Sequence, residues 1–193
     1  MRAKLQREAA ERMAGEAKRA RLTTLGPRPY ANDGAHIMKT KVGEQAGSNP
    51  GGVYLGADGV RRYVKEYKTR LQAEQEHLAN GIYRALGLEV PETEVFERGG
   101  KVFFASVMEE GQTLGRAGLT AKNANAILDG TAADMLTANW DAVGTGLDNV
   151  LITARGPMRI DQGGTLLLRA QGAPKPAELL EERGEGTALF DPQ

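Results

Sequence analysis

Residues 47–67 read GSNPGGVYLGADGVRRYVKEY, and this stretch says most about the fold. A glycine-rich loop leads into two short segments rich in valine and tyrosine, and an Asp-Gly dipeptide lies between them. Asp-Gly flanked by such segments is a strong signal for a tight β-hairpin, and both valine and tyrosine favour strands. The sequence therefore predicts paired strands at 51–55 and 61–67, with Lys65 inside the second strand.

The residues that follow predict a helix and then a second hairpin. Apolar side chains recur at helical spacing through residues 69–86, Gly87 suits the end of that helix, and Pro91 prevents its continuation. Strands are predicted at 92–96 and 101–108, joined by a turn that contains two glycines. The helix face expected to pack on the core comprises Leu71, Gln75, Leu78, Ile82 and Leu86.

The second half of the chain predicts one further helix and one further hairpin. Helical spacing covers residues 120–138, and a glycine-bearing loop follows at 139–148. Short strands at 149–152 and 157–160 then lead to Asp161. The apolar face expected on this helix comprises Ala124, Ile127, Leu128, Met135 and Leu136.

The ends of the chain differ in composition from the middle. Residues 1–22 carry seven Lys or Arg and three Glu at helical spacing, and residues 23–50 have the Gly, Pro, Asn and Thr of a linker and loop. We expect a basic helical extension with a linker at 1–42, a domain at 43–175 and a C-terminal tail at 176–193. The basic helix is interpreted as a solvated or partner-docking element in preference to a nucleic-acid arm, because no aromatic residues interleave with its charges.

The composition excludes several kinds of site. The chain has 193 residues, no cysteine, two histidines and equal numbers of basic and acidic residues. Disulfides, thiolate metal sites, cysteine nucleophiles and a histidine-rich metal centre are therefore excluded. No apolar run approaches the roughly 20 residues that a membrane helix needs, and a signal-peptide core is not found. We expect a cytoplasmic protein with neither a membrane nor a nucleic acid as its partner.

Four stretches, taken in their order along the chain, resemble the protein-kinase-like superfamily. They are residues 47–67, AEQEHLANGIYRALGLEVPETEV at 73–95, NWDAVGTGLDNVLI at 139–152 and RIDQGG at 159–164. The likeness is to its small, divergent bacterial and phage branch, which includes HipA-like kinases, type III effector kinases and kinase-like modules of phage proteins. It implies an α+β, minimal two-lobed protein-kinase-like fold with a truncated C-terminal lobe. It also implies ATP and Mg²⁺ between the lobes, and a bacterial cytoplasm, or a host cytoplasm for a secreted effector.

The resemblance also implies roles for individual residues. Lys65 would bind phosphates, and Asp141 would orient or deprotonate the acceptor hydroxyl. Asn149 and Asp161 would hold Mg²⁺, because amide and carboxylate oxygens suit this hard cation. The remaining residues expected around the nucleotide, in the glycine-rich loop and in a hinge at 108–111, are Ser48, Gly51, Gly52, Glu109 and Gly111.

A carboxylate on the first helix is expected to hold Lys65. The resemblance favours Glu76, while helical periodicity alone leaves Glu74 open as the alternative. Without the resemblance, Lys65 would be interpreted as a solvated residue on the outer face of its strand, which is the usual place for a strand lysine.

Two features depart from the usual kinase pattern. Asp141 and Asn149 are eight residues apart, more than in the H-R-D-x-x-x-x-N loop, and no His-Arg precedes Asp141. Asp148 is therefore a second candidate for the functional acid of this enlarged loop, although Trp140 is expected to anchor Asp141 in the core. Only 32 residues follow Asp161, so substrate-docking elements are expected to be minimal, absent or supplied by another chain.

The function that follows is an ATP- and Mg²⁺-dependent phosphotransferase that phosphorylates a hydroxyl, most readily on a protein substrate. Two alternatives remain open at this point. One is nucleotidyl transfer or phosphorylation of a small molecule on the same fold. The other is a non-catalytic, kinase-derived binding or phage structural module.

Overall fold

The computed structural model describes residues 33–169 and 171–175. The helix predicted within residues 1–22 and the tail predicted at 176–193 lie outside the described residues. None of the helices within the described part is both long and apolar enough to cross a membrane.

Five antiparallel strands form the main sheet. The strands are β1 (Thr40–Gly43), β2 (Gly51–Leu55), β3 (Arg61–Tyr67), β4 (Thr93–Arg98) and β5 (Lys101–Val107). Their spatial order is β1-β2-β3-β5-β4. Both predicted hairpins are confirmed, since β2 pairs with β3 and β4 pairs with β5, and tight turns at the expected Asp-Gly and Gly-Gly positions join them.

Strand β1 corrects the interpretation of residues 23–50 as a linker and loop. It pairs with β2 at the sheet edge, and Ile37, just before it, is fully buried. The sheet therefore begins inside the predicted extension at 1–42. The side chains of β1 are almost all exposed, so the strand lacks the alternation of apolar and polar residues from which strands are predicted.

One face of the sheet is covered by a small apolar cluster. Phe96 and Phe103 stack with their ring centroids 5.3 Å apart, and Ile37, Val64 and Ala105 complete the cluster. Because successive side chains of a strand point to opposite faces, the burial of Val64 here places its two neighbours in β3 on the other face.

Helix α1 (Arg70–Ala85) begins at a capping box, in which the Thr69 hydroxyl accepts a hydrogen bond from the Gln72 backbone N–H. The prediction of its buried stripe is correct for Gln75 but wrong for the three leucines. Leu71, Leu78 and Leu86 are each at least half exposed. The buried face carries small and polar residues instead, namely Ala73, Gln75, Glu76, Ala79, Asn80 and Tyr83. Glu76 and Tyr83 find partners in the site described below, Gln75 Oε1 accepts the Leu167 backbone N–H, and Asn80 Nδ2 donates to the Glu76 backbone carbonyl.

The described C-terminal part contains a three-stranded sheet and two helices. Its elements are β6 (Gln112–Thr113), α2 (Leu114–Ala117), α3 (Ala121–Leu136), β7 (Val150–Thr153), β8 (Gly156–Arg159) and a 3₁₀ turn at Gln162–Gly164. The order in the sheet is β6-β7-β8. The predicted hairpin at 149–160 and the helix near 120–138 are confirmed.

The predicted apolar face of α3 needs the same correction as that of α1. Leu128, Met135 and Leu136 are 50–71% exposed. The helix is instead held through Asp134, which accepts a hydrogen bond from Arg159 of β8 at 2.6 Å. The Arg159 guanidinium lies against Gly130, where any Cβ atom would come within about 2.5 Å of it.

Candidate active site

Lys65 is the centre of the candidate site. Its Nζ lies 2.9 Å from Glu76 Oε1 and 2.6 Å from Asp161 Oδ1. The Lys65 side chain is 9% exposed and that of Glu76 is 1% exposed, whereas the Asp161 carboxylate is half exposed. The cluster joins β3, α1 and the segment after β8, although 96 residues separate Lys65 from Asp161.

Opposing effects act on the charges of this cluster. Burial by itself would lower the pKa of Lys65, but the carboxylates of Glu76 and Asp161 outweigh it and raise the pKa well above its ordinary value. Burial raises the pKa of Glu76, and the Lys65 ammonium only partly offsets this. The lysine is therefore firmly cationic, and the Glu76 carboxylate depends on it for its charge.

The structure places Glu76, and not Glu74, beside Lys65. Glu74 Oε1 instead lies 2.7 Å from Arg70 Nε, on the exposed side of α1. Tyr67, which sequence reasoning missed, donates its hydroxyl hydrogen to Glu76 Oε2. Strand periodicity could have found it, since Tyr67 lies two residues after Lys65 and shares its face.

The loop after α3 is held by side-chain amides. Asn139 Oδ1 accepts the Asp141 backbone N–H at 3.0 Å. Asn149 Nδ2 donates to the Asp141 backbone carbonyl at 2.7 Å, and the Asn149 backbone carbonyl accepts the Ile160 N–H. The enlarged spacing between Asp141 and Asn149 therefore still brings the two residues together. Trp140, as expected of an anchor, is buried.

A buried network of polar side chains is hydrogen-bonded to Asn139, at the start of this loop. Asn139 Nδ2 donates to Gln162 Oε1 at 3.0 Å and to the Tyr83 hydroxyl at 3.1 Å. The Tyr83 hydroxyl donates to Asp134, whose other oxygen binds Arg159. Burial raises the pKa of Asp134, and the Arg159 guanidinium offsets part of that rise. The network thus connects α1, α3 and the residues on either side of Asp161, which no local sequence pattern indicates.

Two adjoining cavities meet at this cluster and share Tyr63, Lys65 and Asp161. The first, of about 230 Å³, lies beneath β3 and β5 and is walled mainly by apolar side chains. Its other lining residues are Glu76, Asn80, Pro91, Phe104, Ser106, Val107, Met108, Glu109, Leu151 and Ile160.

The second cavity, of about 200 Å³, is polar and lies under the loop between β1 and β2. Its other lining residues are Ala46, Gly47, Ser48, Asn49, Asp141, Gly144, Thr145, Asp148, Asn149 and Gln171. An apolar compartment joined to a polar one through a single ammonium suits a ligand with an apolar ring and an anionic tail.

Most of the predicted site residues line these cavities, and three do not. Gly51 and Gly52 lie within β2, where their lack of a side chain permits close backbone approach: a Cβ on Gly51 would come within about 2 Å of the Val64 carbonyl oxygen. Gly111 packs against β7 beside the Ile152 carbonyl. Glu109 lines the apolar cavity and pairs with Arg155 at 3.2 Å.

Two residues on the polar cavity could supply oxygen ligands to a divalent cation. No three His, Asp or Glu side chains within the described residues cluster closely enough to hold a metal by themselves. Asn149 and Asp161 nevertheless fit a cation that is shared with a ligand. The amide nitrogen of Asn149 is committed to Asp141, which leaves its oxygen as the coordinating atom. Asp161, in the left-handed backbone region at φ 58°, offers a half-exposed carboxylate, and Mg²⁺ commonly uses one or two such ligands plus phosphates.

The fold resembles that of solved protein kinases. The Helicobacter pylori proinflammatory kinase CtkA matches with a TM-score of 0.50 and 16% identity, over 77% of this chain and 62% of the CtkA chain. The Rio2 kinase from Chaetomium thermophilum, in a complex with ADP, Mg²⁺ and phosphoaspartate, matches with a TM-score of 0.44 and 15% identity, over 66% of this chain and 49% of that chain.

No protein-family model and no curated protein matches the chain. The chain spans less than two thirds of the length of CtkA, and at this identity the likeness extends to the fold alone. The chain has an α+β, two-lobed protein-kinase-like fold, in which the described C-terminal lobe is small.

Proposed function

We propose that the chain is an ATP- and Mg²⁺-dependent phosphotransferase that modifies a hydroxyl group, with a protein as its substrate. One observation carries the proposal. The buried Lys65 ammonium, held by Glu76 and Asp161, lies where an apolar cavity meets a polar one. Phosphoryl transfer relies on positioning and on charge stabilisation, and this arrangement supplies both.

The two cavities divide the nucleotide between them. The adenine ring belongs in the apolar cavity, next to the chain that leaves β5 at Met108 and Glu109. The phosphates belong in the polar cavity, which is lined by Lys65, Ser48 and the rest of the loop tip. Asn149 and Asp161 would hold Mg²⁺, which would neutralise charge on the phosphate oxygens.

The reaction then needs a group to orient the acceptor and take its proton. The acceptor oxygen attacks the γ-phosphorus, the bond from that phosphorus to the β–γ bridging oxygen breaks, and ADP leaves. Asp141 lines the polar cavity, and its backbone is fixed on both sides by Asn139 and Asn149. Such fixing favours Asp141 over the exposed Asp148 as the carboxylate that accepts the hydroxyl proton.

Thermal unfolding with nucleotides tests the binding part of the proposal. Mg-ATP at 100 times its dissociation constant should stabilise the fold by roughly 2.7 kcal/mol. ATP with a chelator, GTP and a dinucleotide serve as comparisons. Asp161→Asn should keep the shape of the site but lose the Mg²⁺-dependent part of the stabilisation. No stabilisation by Mg-ATP, or unchanged metal dependence in Asp161→Asn, would contradict the proposal.

Transfer itself is tested by mass spectrometry of the chain and of candidate acceptors after incubation with Mg-ATP. We expect the mass of one phosphate per modified hydroxyl, and its loss in Lys65→Met. Lys101→Met is the matched control, since Lys101 is an exposed lysine that pairs with Glu66 on the same sheet. A nucleotidyl mass would indicate nucleotidyl transfer, and binding without modification of any acceptor would indicate a non-catalytic module.

A further inference from the structure

The loop over the polar cavity is attached to β3 at two points. It runs from β1 to β2, and its tip, Gly47 to Asn49, lines the cavity. After the tip, the Pro50 carbonyl accepts the Glu66 backbone N–H at 2.7 Å. Before the tip, the Ala46 backbone N–H donates to the hydroxyl of Tyr63 at 2.8 Å. The loop is thus joined to β3 by one backbone bond and one tyrosine side chain, and within the loop Gln45 Nε2 donates to the Gly47 carbonyl at 2.8 Å.

The Tyr63 hydroxyl binds Ala46 in both directions. Besides accepting the Ala46 N–H, it donates its own hydrogen to the Ala46 carbonyl oxygen. Ala46 is exposed and lies 17 residues from Tyr63 in sequence, so this contact is a tertiary one. A phenol hydroxyl can donate once and accept at the same time, and here both capacities serve one loop residue.

Tyr63 also lies at the junction of the two cavities. In the middle of the sheet it is paired with Val53 of β2 and Ser106 of β5. It precedes Lys65 by two residues, so the two side chains share a face. Tyr63 lines the apolar cavity and the polar one. The Tyr63 side chain therefore contacts both the apolar cavity and the loop that covers the polar cavity.

We propose that Tyr63 is a nucleotide-positioning residue with two separable parts. Its ring lines the apolar cavity, in which the base binds. Its hydroxyl binds Ala46 and thereby holds the adjoining loop tip over the phosphate site before the ligand arrives. Holding the tip in advance reduces the ordering cost of phosphate binding. The tip includes Gly47 at φ 102°, a conformation in which a side-chain-bearing residue would be strained. This inference rests on the proposed function, because it takes the ligand to be a nucleotide.

Hydrogen–deuterium exchange of the ligand-free protein tests the attachment itself. Tyr63→Phe removes only the hydroxyl. We expect faster exchange at residues 46–49 than in the wild type, and unchanged exchange at the Glu66 amide, whose bond to Pro50 remains. Tyr54→Phe is the matched control, since Tyr54 is a neighbouring-strand tyrosine that lines neither cavity. Equal exchange at residues 46–49 in the wild type and Tyr63→Phe would overturn the loop-fixing role.

Titration with adenosine, ADP and ATP in the presence of Mg²⁺ tests the consequence for binding. Tyr63→Phe should bind ATP roughly 3- to 10-fold more weakly, which is the usual value of one hydrogen bond, and adenosine as the wild type does. Tyr63→Ala should weaken adenosine as well, by at least about fivefold if the ring contacts the base. Tyr54→Phe should change neither affinity.

The outcomes separate this inference from the proposed function. Nucleotide binding by the wild type with equal ATP affinity in Tyr63→Phe would overturn the positioning role and leave the function standing. Equal losses for adenosine and ATP in Tyr63→Phe would also overturn it, because the hydroxyl should act only through the loop. If the wild type bound no nucleotide, the proposed function would fail, and the positioning role with it. The exchange measurement would then still decide whether Tyr63 fixes the loop.

Discussion

Removing the Lys65 charge should make the stability of the fold depend on pH through Glu76. Lys65→Met keeps a similar stem in β3 but leaves the Glu76 carboxylate, 1% exposed, without its cation. The variant can relieve this in one way only, by keeping Glu76 protonated. Tyr67 remains hydrogen-bonded to the carboxyl group in either state.

The magnitude follows from the burial of the two partners. Breaking a buried ion pair by removing one partner costs roughly 3–5 kcal/mol of unfolding free energy. Almost all of this cost comes from the buried Glu76 carboxylate, since the half-exposed Asp161 carboxylate can be hydrated at little cost. Total stabilities of about 5–15 kcal/mol are usual, so the variant should still fold.

The sign of the pH dependence follows from the pKa of Glu76, which burial already raises in the wild type and which loss of the Lys65 ammonium raises further. A carboxyl group whose pKa is higher in the folded state than its ordinary 4.5 contributes stability below that value, and the contribution is lost as pH rises through the folded pKa. Between pH 4.5 and the folded pKa of Glu76, the free energy of unfolding falls by up to about 1.4 kcal/mol per pH unit. Compared with the wild type at the same pH, Lys65→Met should be nearly as stable at about pH 4.5 and much less stable at about pH 8.

Urea unfolding followed by fluorescence gives the measurement, because the chain has a single tryptophan and Trp140 is buried. The double variant Lys65→Met/Glu76→Gln serves as the control. The introduced glutamine amide keeps an acceptor for the Tyr67 hydroxyl but carries no charge, so the double variant should recover most of the stability at about pH 8. A Lys65→Met deficit that is equal at both pH values, without recovery in the double variant, would refute the reasoning.

Three further predictions concern other parts of the site and fold. Asp141→Asn should lower single-turnover phosphoryl transfer roughly 10²- to 10⁴-fold with ATP binding intact, whereas Asp148→Asn should cost less than about tenfold; the reverse ranking would assign the proton-accepting role to Asp148. Arg159→Met should lower the unfolding free energy by about 3–5 kcal/mol, because it leaves the buried Asp134 carboxylate unpaired; a loss below about 1 kcal/mol in urea unfolding would contradict this. Burial lowers the pKa of His77, so its neutral form stabilises the fold above about pH 6.5 and that contribution falls as pH drops; His77→Gln should flatten this part of the stability profile, and an unchanged profile would rule the effect out.

The sequence by itself determined the local elements of this protein. The Asp-Gly and Gly-Gly turns and the runs of valine, tyrosine and phenylalanine were sufficient for both hairpins of the main sheet. The end of the helix near residues 70–85 could be predicted because it carries local signals, Gly87 and Pro91. Such signals depend on a few adjacent residues, so they can be read without knowing the fold.

The tertiary structure alone decided which faces of the helices are buried and which residues meet. Leu71 and Leu78 looked like core residues but face outwards, since α1 turns Glu76 toward Lys65 instead. Periodicity defines a helical stripe but not the element on which it packs, and here polar partners compensate for burying a polar face. Asp161 joins Lys65 across 96 residues, and Tyr63 binds Ala46, 17 residues away, in the loop between β1 and β2. Contacts of this kind depend on the relative placement of distant elements, on which local sequence patterns carry no information.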